Sequence, residues 1–438
     1  MEVYFILGLG LSGIAAARKL LSAGASVRAW DDKLATEPLT DEMQALVNEG
    51  LVVDQEGWML CDEVVTSPGV PPSHPIYKAA VADSIPICNE VELALRYLPN
   101  PCVGVTGTNG KTTVTLLVEH LLRAAGVEAR AVGNIGVPLC SLDCKPSEVL
   151  VVELSSYQID TMRSPRLTAG VVLNVTPDHL ERYGTMDAYA ASKFRLGDLV
   201  LPRGDFWVEV DAARTFSNVL GKRRPRLYGD SPGLGLSVGS ATIRNDRGIE
   251  YIFPLGYTPK SKHDRLNCAA ALALCLPFIE DPELVLNGLA TFSKPEHRLE
   301  TVACIDGVTY INDSKGTNVA AVLHAIESLP GRLWLIAGGV DKRGSYEPWK
   351  AAFAGRVCGV ALIGQAAERI RADIGDAVAC VDCGSLEEAV VWARGQALEG
   401  DSVVLSPGCS SFDMFRSYAH RGDVFKRLVA ELEGVCRK

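Results

Sequence analysis

The stretch Val103-Gly104-Val105-Thr106-Gly107-Thr108-Asn109-Gly110-Lys111-Thr112-Thr113 constrains this chain more than any other. A short β-branched run enters a loop holding Gly107 and Gly110, which Lys111, Thr112 and Thr113 close. Apolar residues then recur at helical spacing (Val114, Leu117, Val118, Leu121, Leu122) as far as Gly126. Strand, glycine loop, lysine and helix are the parts of a phosphate-binding loop. In such a loop the amides and the helix N-terminus face the anion, Lys111 adds a point charge, and the Thr112 hydroxyl can hold Mg²⁺. The strict spacing would put glycine where Val105 stands, so this is a variant of the pattern. The plain alternative is an ordinary strand-to-helix turn with an exposed lysine. The strand and helix on either side favour the nucleotide.

A second glycine loop opens the chain. Val3 to Leu7 is an apolar strand feeding Gly8-Leu9-Gly10-Leu11-Ser12-Gly13, and a helix is predicted from Ile14 to Leu21. Ser26 to Trp30 makes the next strand and ends at Asp31-Asp32. This G-x-G-x-x-G unit with an acid after the second strand fits a dinucleotide cofactor. An NAD-dependent oxidoreductase is therefore one rival reading, although any diphosphate suits the same helix end. Val64 to Thr66 leads into Ser67-Pro68-Gly69-Val70-Pro71-Pro72, expected on the same sheet edge or else a plain connecting turn.

Two further apolar runs suit buried parallel strands. Val149 to Val152 ends in Glu153, and Gly170 to Leu173 leads to Asn174-Val175-Thr176-Pro177-Asp178-His179. Both deliver polar residues to the edge that carries the phosphate loop, where Glu153 and His179 can reach a metal. Histidine is an unusual ligand for Mg²⁺, which prefers oxygen, and a capping or salt-bridged His179 is the alternative. A helix predicted over Thr185 to Leu199 puts Lys193 on its apolar face. A bare ammonium there is costly unless it is paired, modified or snorkelling to the edge. Gly133-Asn134-Ile135-Gly136 is another glycine loop, and Asn267 either caps the helix that follows it or reaches a base.

Strands at Leu333 to Ala337, Gly359 to Gly364 and Ser402 to Leu405 alternate with helical patterns, so the last third reads as doubly wound and mainly parallel. A chain of 438 residues suits about three domains, placed at 1–97, 98–295 and 296–438 with Leu98-Pro99-Asn100-Pro101 as a linker. A net charge of −10 excludes a broad nucleic-acid surface, so polyanionic ligands must meet local cations. No apolar run reaches the ~20 residues of a membrane span. Thirteen scattered cysteines, an odd count, and no signal peptide lead to the expectation of reduced thiols in the cytoplasm. Cys380-Val381-Asp382-Cys383 has redox or zinc spacing without a second pair, and strand-end thiols are expected there.

Gly107 to Thr113, Glu153-Leu154-Ser155-Ser156-Tyr157-Gln158, Asn174 to His179, His297-Arg298 and Asn312-Asp313-Ser314-Lys315-Gly316-Thr317-Asn318 resemble, in order and spacing, the Mur ligase family. Those proteins are ATP-dependent amide-bond ligases of peptidoglycan precursor synthesis. The first glycine loop and Leu405-Ser406-Pro407-Gly408-Cys409-Ser410-Ser411-Phe412-Asp413 are similar to the D-glutamate-adding branch. The resemblance implies an α/β fold of three domains: an N-terminal Rossmann-like domain, a central P-loop-type ATPase domain with a parallel sheet, and a C-terminal Rossmann-like domain. It implies addition of D-glutamate to UDP-N-acetylmuramoyl-L-alanine through an acyl phosphate, by a monomer, with the last domain closing over the site. Sister ligases adding L-alanine or a diamino acid are the nearest alternatives, and a non-catalytic nucleotide switch is a more distant one.

The resemblance also distributes roles. Gly107, Thr108, Asn109, Gly110, Lys111, Thr112 and Thr113 would hold ATP with Asn267, Arg298, Asp313 and Lys315. Thr112 and Glu153 would hold one Mg²⁺; His179 and Lys193 would serve a second, Lys193 as a carbamate formed with CO₂. Lys111, His179 and Lys193 are thus the expected catalytic residues. Gly10, Leu11 and Ser12 would meet the UDP diphosphate, Asp31, Asp32, Lys33 and Gly69 the uridine, and Asn134 and Ser155 the region of the reacting carboxylate. Thr317, Lys342, Ser411 and Tyr418 would bind the incoming amino acid. The family usually has Asn where Asp264 stands, Phe at Tyr418 and Asp at Val340.

Overall fold

The first sheet grows from short apolar runs that each end in a loop. The computed structural model describes residues 2–259, 261–342 and 344–436. Strands β1 (Val3–Leu7), β2 (Ser26–Trp30), β3 (Val52–Val53), β4 (Glu63–Thr66) and β5 (Ile87–Asn89) pair in parallel in the order β3-β2-β1-β4-β5. Phe5, Leu7, Val64, Ile76 and Ala80 form its core. The helix Leu11–Ser22 follows β1 so closely that a Cβ on Gly13 would lie 1.9 Å from the Gly8 carbonyl oxygen. Only glycine fits that approach. The Ser67 hydroxyl donates to the Gly8 carbonyl at 2.8 Å, so the loop after β4 does lie beside the first glycine loop.

The second sheet comprises β6 (Cys102–Thr106), β7 (Ala129–Gly133), β8 (Val149–Glu153), β9 (Leu167–Val172), β10 (Val200–Glu209), β11 (Arg226–Gly229), β12 (Leu236–Val238), β13 (Thr242–Asn245) and β14 (Glu250–Ile252), in the order β14-β13-β12-β11-β10-β9-β6-β8-β7. β6 and β8 are buried at every position, as their unbroken apolar character requires. The helix Lys111–Ala124 buries Val114, Leu117, Val118, Leu121 and Leu122 against the sheet. Its edge departs from the expected all-parallel sheet: β12, β13 and β14 are antiparallel neighbours. The short turn after Asn245, with Gly248 at φ 81°, joins β13 to β14 as a hairpin. The helix expected over Thr185 to Leu199 is α-helical only at Met186–Phe194 and tightens to a 3₁₀ turn at Arg195–Leu199. Gly197 weakens the α turn there, and the tighter winding buries Leu196 and Leu199.

The third sheet comprises β15 (Glu300–Ile305), β16 (Val308–Asn312), β17 (Leu333–Gly338), β18 (Val357–Ile363), β19 (Cys380–Asp382) and β20 (Ser402–Leu405), in the order β15-β16-β20-β17-β18-β19. It is parallel apart from the β15–β16 hairpin. Apolar clusters cover both of its faces, one around Tyr310 and Phe425 and the other around Tyr346 and Trp349. Cys380 and Cys383 are partly buried free thiols, pushed up by burial, as strand-end cysteines should be. By its contacts the chain forms two compact units. The first contains the first two sheets (residues up to 174, 187–258 and 266–291), and the second contains the third sheet (175–186, 259–265 and from 292). Among the described residues no helix is long and apolar enough to cross a membrane.

Candidate active site

The phosphate loop belongs to the first unit. Gly110 has φ 87°, and a Cβ there would lie 3.1 Å from Asn267 Oδ1. It is the N-cap of the helix Lys111–Ala124 and supplies no side-chain cap, which suits an anion at the first-turn amides. The Thr108 amide donates to the Asn174 carbonyl at 3.0 Å, and the Asn109 amide to Asn174 Oδ1 at 2.9 Å. Asn174 therefore shapes the loop, and the anion cradle narrows to its helix end. Lys111 Nζ donates to the carbonyls of Gly107 at 2.8 Å and Thr108 at 2.9 Å. Thr112 and Thr113 are buried beside it. Asn267 sits inside the helix Lys262–Cys275 rather than at its start, so it is no cap; its amide faces Gly110.

Glu153 ends β8 with 2% of its surface exposed. Its Oε1 accepts from Asn134 Nδ2 at 3.0 Å, while Oε2 is buried without a hydrogen-bond partner among the described residues. A carboxylate oxygen left so is costly until a cation or donor reaches it, which fits a Mg²⁺ ligand. Among the described residues no group of three or more His, Cys, Asp and Glu assembles as a metal cluster. A cation at Glu153 would need hydroxyl and phosphate oxygens to complete its shell. Lys193, 1% exposed, donates from Nζ to the Gly107 carbonyl at 2.9 Å and stands 4.4 Å from the Tyr189 ring centre. It does not snorkel. Ser155 caps the helix Ser156–Thr161, and its amide and hydroxyl both donate to Gln158 Oε1 at 2.9 Å.

In the first glycine loop, Asp31 accepts from the amides of Leu9 at 2.7 Å and Lys33 at 3.0 Å. Its carboxylate thus holds the loop in shape. Asp32 lies 3.1 Å from His74 Nε2, a neighbour that sequence inspection missed. Gly10 is the N-cap of Leu11–Ser22 without a side-chain cap, Leu11 is 77% exposed, and a side chain at Gly69 would meet open space. Ser12 begins the helix beside them.

The second unit gathers another set. Asp178 accepts from Lys342 Nζ at 3.1 Å and Asn318 Nδ2 at 3.2 Å. Burial works to raise its carboxyl, but Lys342 and His179 outweigh it and hold the group below the usual range. His179, at φ 55°, is the N-cap of Leu180–Tyr183 and lies 3.8 Å from Asp178 and 3.5 Å from Glu181. Both carboxylates lie within ion-pair distance of its ring. Asp178, Asn318, Lys342, Tyr346 and Gly408 line one cleft. Thr317 precedes Asn318, the N-cap of Val319–Ser328, and Ser411 is 2% exposed.

Asp313 is buried and accepts from the Ser406 hydroxyl at 2.8 Å and the Leu299 amide at 3.3 Å. Burial pushes its carboxyl up to about 6. Arg298 Nε is buried without a hydrogen-bond partner among the described residues, so neither Arg298 nor the ion-paired Lys342 is a plain surface charge. Lys315 Nζ lies 5.1 Å from the Tyr418 ring centre. Asp264 spends its charge on Lys294 at 2.8 Å. Arg421, fully buried and donating to Ser314 and Cys409, is a further anchor of these loops that carries no motif in the sequence.

Three family models match the chain: a Mur ligase MurD-like N-terminal domain at residues 2–89, a Mur ligase middle domain at 105–229, and a Mur ligase glutamate ligase domain at 297–409. The chain is 42% identical to a UDP-N-acetylmuramoylalanine--D-glutamate ligase of Protochlamydia amoebophila, covering 98% of this chain and 99% of that protein. It is 39% identical to the protein of that name from Acidobacterium capsulatum, covering 98% and 96%. A MurF ligase of Thermotoga maritima, solved in complex with ADP, shares the fold at a TM-score of 0.62 and 16% identity, covering 98% and 95%. Motifs, folds and full-length similarity agree: the chain belongs to the Mur ligase family.

Proposed function

We propose that the chain joins D-glutamate to UDP-N-acetylmuramoyl-L-alanine, with cleavage of ATP to ADP and phosphate, as a step of peptidoglycan precursor synthesis. The observation that carries the chemistry is the lysine-tipped loop Gly107–Thr113 anchored to Lys193, in a unit where Glu153 keeps a buried oxygen with no partner among the described residues. The full-length similarity to D-glutamate ligases supports the choice of substrates.

An unactivated carboxylate does not acylate an amine at neutral pH. The L-alanyl carboxylate therefore attacks the γ-phosphorus of ATP, the bond to the β-phosphate oxygen breaks, and ADP leaves an acyl phosphate. The D-glutamate amine attacks the acyl carbon, loses its proton, and the carbon–oxygen bond to phosphate breaks. Nucleophile and γ-phosphate are both anions, so the site must neutralise charge in the transition state. Lys111 and the first-turn amides do this at the phosphates, with Asn267 toward the base and Arg298, Asp313 and Lys315 completing the ATP site.

Thr112 and Glu153 are proposed to hold one Mg²⁺, and His179 with carbamylated Lys193 a second; such ions would supply electrostatic shielding of the phosphoryl oxygens. A carbamate turns a misplaced cation into an oxygen ligand. Gly10, Leu11 and Ser12 receive the UDP diphosphate, Asp31, Asp32, Lys33 and Gly69 surround the uridine, and Asn134 and Ser155 orient the alanyl end. Thr317, Lys342, Ser411 and Tyr418 take the two carboxylates of D-glutamate, which require cationic and hydroxyl donors. This division corresponds to domains at 1–97, 98–295 and 296–438, in a monomeric cytoplasmic enzyme.

The test is phosphate release with ATP, UDP-N-acetylmuramoyl-L-alanine and single amino acids. D-glutamate should support turnover, with L-glutamate, L-alanine and diamino acids inactive, and Lys111→Ala should abolish it. Turnover with a diamino acid but not D-glutamate would move the chain to a sister activity.

A further inference from the structure

The helix Glu90–Tyr97 belongs to the first sheet by sequence, yet its Glu90 and Glu92 bind segments of the second. Asn89, which ends β5 and is 2% exposed, uses its side chain twice. Its Oδ1 accepts from the Glu92 amide at 3.0 Å and caps the helix. Its Nδ2 donates to the Gln158 carbonyl at 2.6 Å and Thr161 Oγ1 at 2.7 Å. Gln158 in turn fixes the Ser155 amide and hydroxyl.

One turn along, Glu92 is 1% exposed and accepts from the amides of Arg163 and Ser164, each at 3.2 Å, and from the Ser164 hydroxyl at 2.5 Å. Glu63 closes the group, bound to Arg96 at 2.5 Å and also paired with Arg163. On the neighbouring side, Glu90 accepts from the Cys140 amide at 2.5 Å, just beyond the loop that carries Asn134.

These contacts tie a single helix to both segments that carry Ser155 and Asn134. We infer that the helix Glu90–Tyr97 is a strut that sets the separation between the two ends of the UDP substrate, with Asn89 and Glu92 as its positioning residues. The inference rests on the function proposed above, because only a substrate that spans from the first glycine loop to Ser155 would feel the strut. Buried polar groups of this kind are costly when half satisfied, so their geometry is held tightly. UDP alone would occupy the first sheet's loop and would be indifferent to the strut.

Asn89→Asp separates the two roles of that side chain. The carboxylate still caps the helix at the Glu92 amide but cannot donate to Gln158, and it faces that carbonyl as a like partial charge. Asn89→Ser, which also retains a capping oxygen, provides the same test should the aspartate variant fail to fold. The expected result is a rise of roughly tenfold or more in KM for UDP-N-acetylmuramoyl-L-alanine. The Kd for UDP measured by titration calorimetry, and the KM values for ATP and D-glutamate, should stay at their parent values. An unchanged KM for the UDP substrate, or a Kd for UDP that rises in the same proportion, would overturn the inference. Failure of the parent chain to turn over UDP-N-acetylmuramoyl-L-alanine would instead overturn the function beneath it.

Discussion

The Lys193 ammonium lies 2.9 Å from the carbonyl oxygen of Gly107, which fixes a buried side chain of the helix Met186–Phe194 to the start of the phosphate loop. The same carbonyl accepts from Lys111 at 2.8 Å, so two lysines share one loop oxygen. Conversion of one of them to a carbamate would relieve that concentration of positive charge and leave Lys111 for the γ-phosphate.

Lys193→Arg distinguishes a structural cation from a carbamate. The guanidinium keeps the charge but does not take up CO₂. Turnover is expected to fall by about 100-fold or more, a typical loss for one electrostatic element of a transition state. Melting temperature reports any separate loss of stability. Near-parent turnover in Lys193→Arg would rule the carbamate out.

Lys342 is expected to act on one substrate only. Its Nζ is held 3.1 Å from Asp178, and in the proposed function it receives a carboxylate of D-glutamate. In steady-state kinetics, Lys342→Ala should raise KM for D-glutamate by roughly 10- to 100-fold, the loss of one charge-assisted contact. KM for ATP should not follow. A parallel rise in both would mean that the substitution disturbs the unit rather than the amino-acid site.

Part of the fold is legible in the sequence. Unbroken apolar runs locate β6, β8 and β9, and the glycine spacing locates both strand-to-helix loops, because a strand buried on both faces and a close backbone approach each demand a composition. The period of the helix also revealed that Lys193 points inward. What stayed hidden depends on distant partners: Asp178 meets Lys342 across 164 positions, and Asn89 meets Gln158 across 69. The β13–β14 hairpin leaves little signal because its strands are short and carry the polar residues Arg244, Asn245 and Glu250. Asn267 reads equally as a cap or as a base contact because the first turn of its helix, from Lys262, is polar and hides where the helix begins.

Glu90 gives the fold a pH dependence. Burial raises its carboxyl from 4.5 to about 7. An acid raised on folding binds its proton more tightly in the folded chain. Its stabilisation is therefore full below about 4.5 and is lost as pH rises through about 7, by at most roughly 3 kcal/mol. Glu90→Gln keeps an acceptor for the Cys140 amide and cannot ionise. In urea titrations the variant should be the more stable protein at about pH 8, with the difference shrinking towards about pH 5. Parallel stability curves for the two proteins would show that Glu90 does not titrate in this range.

Phosphorylation of the substrate carboxylate by ATP leaves a direct trace. UDP-N-acetylmuramoyl-L-alanine carrying isotopically heavy oxygen in its L-alanyl carboxylate should pass one heavy atom to each phosphate released during turnover with D-glutamate. The transferred oxygen is the one that bridges carbon and phosphorus in the acyl phosphate, and mass spectrometry of the phosphate detects it. Phosphate free of the label, with the heavy oxygen retained in the amide product or lost to water, would contradict the mechanism.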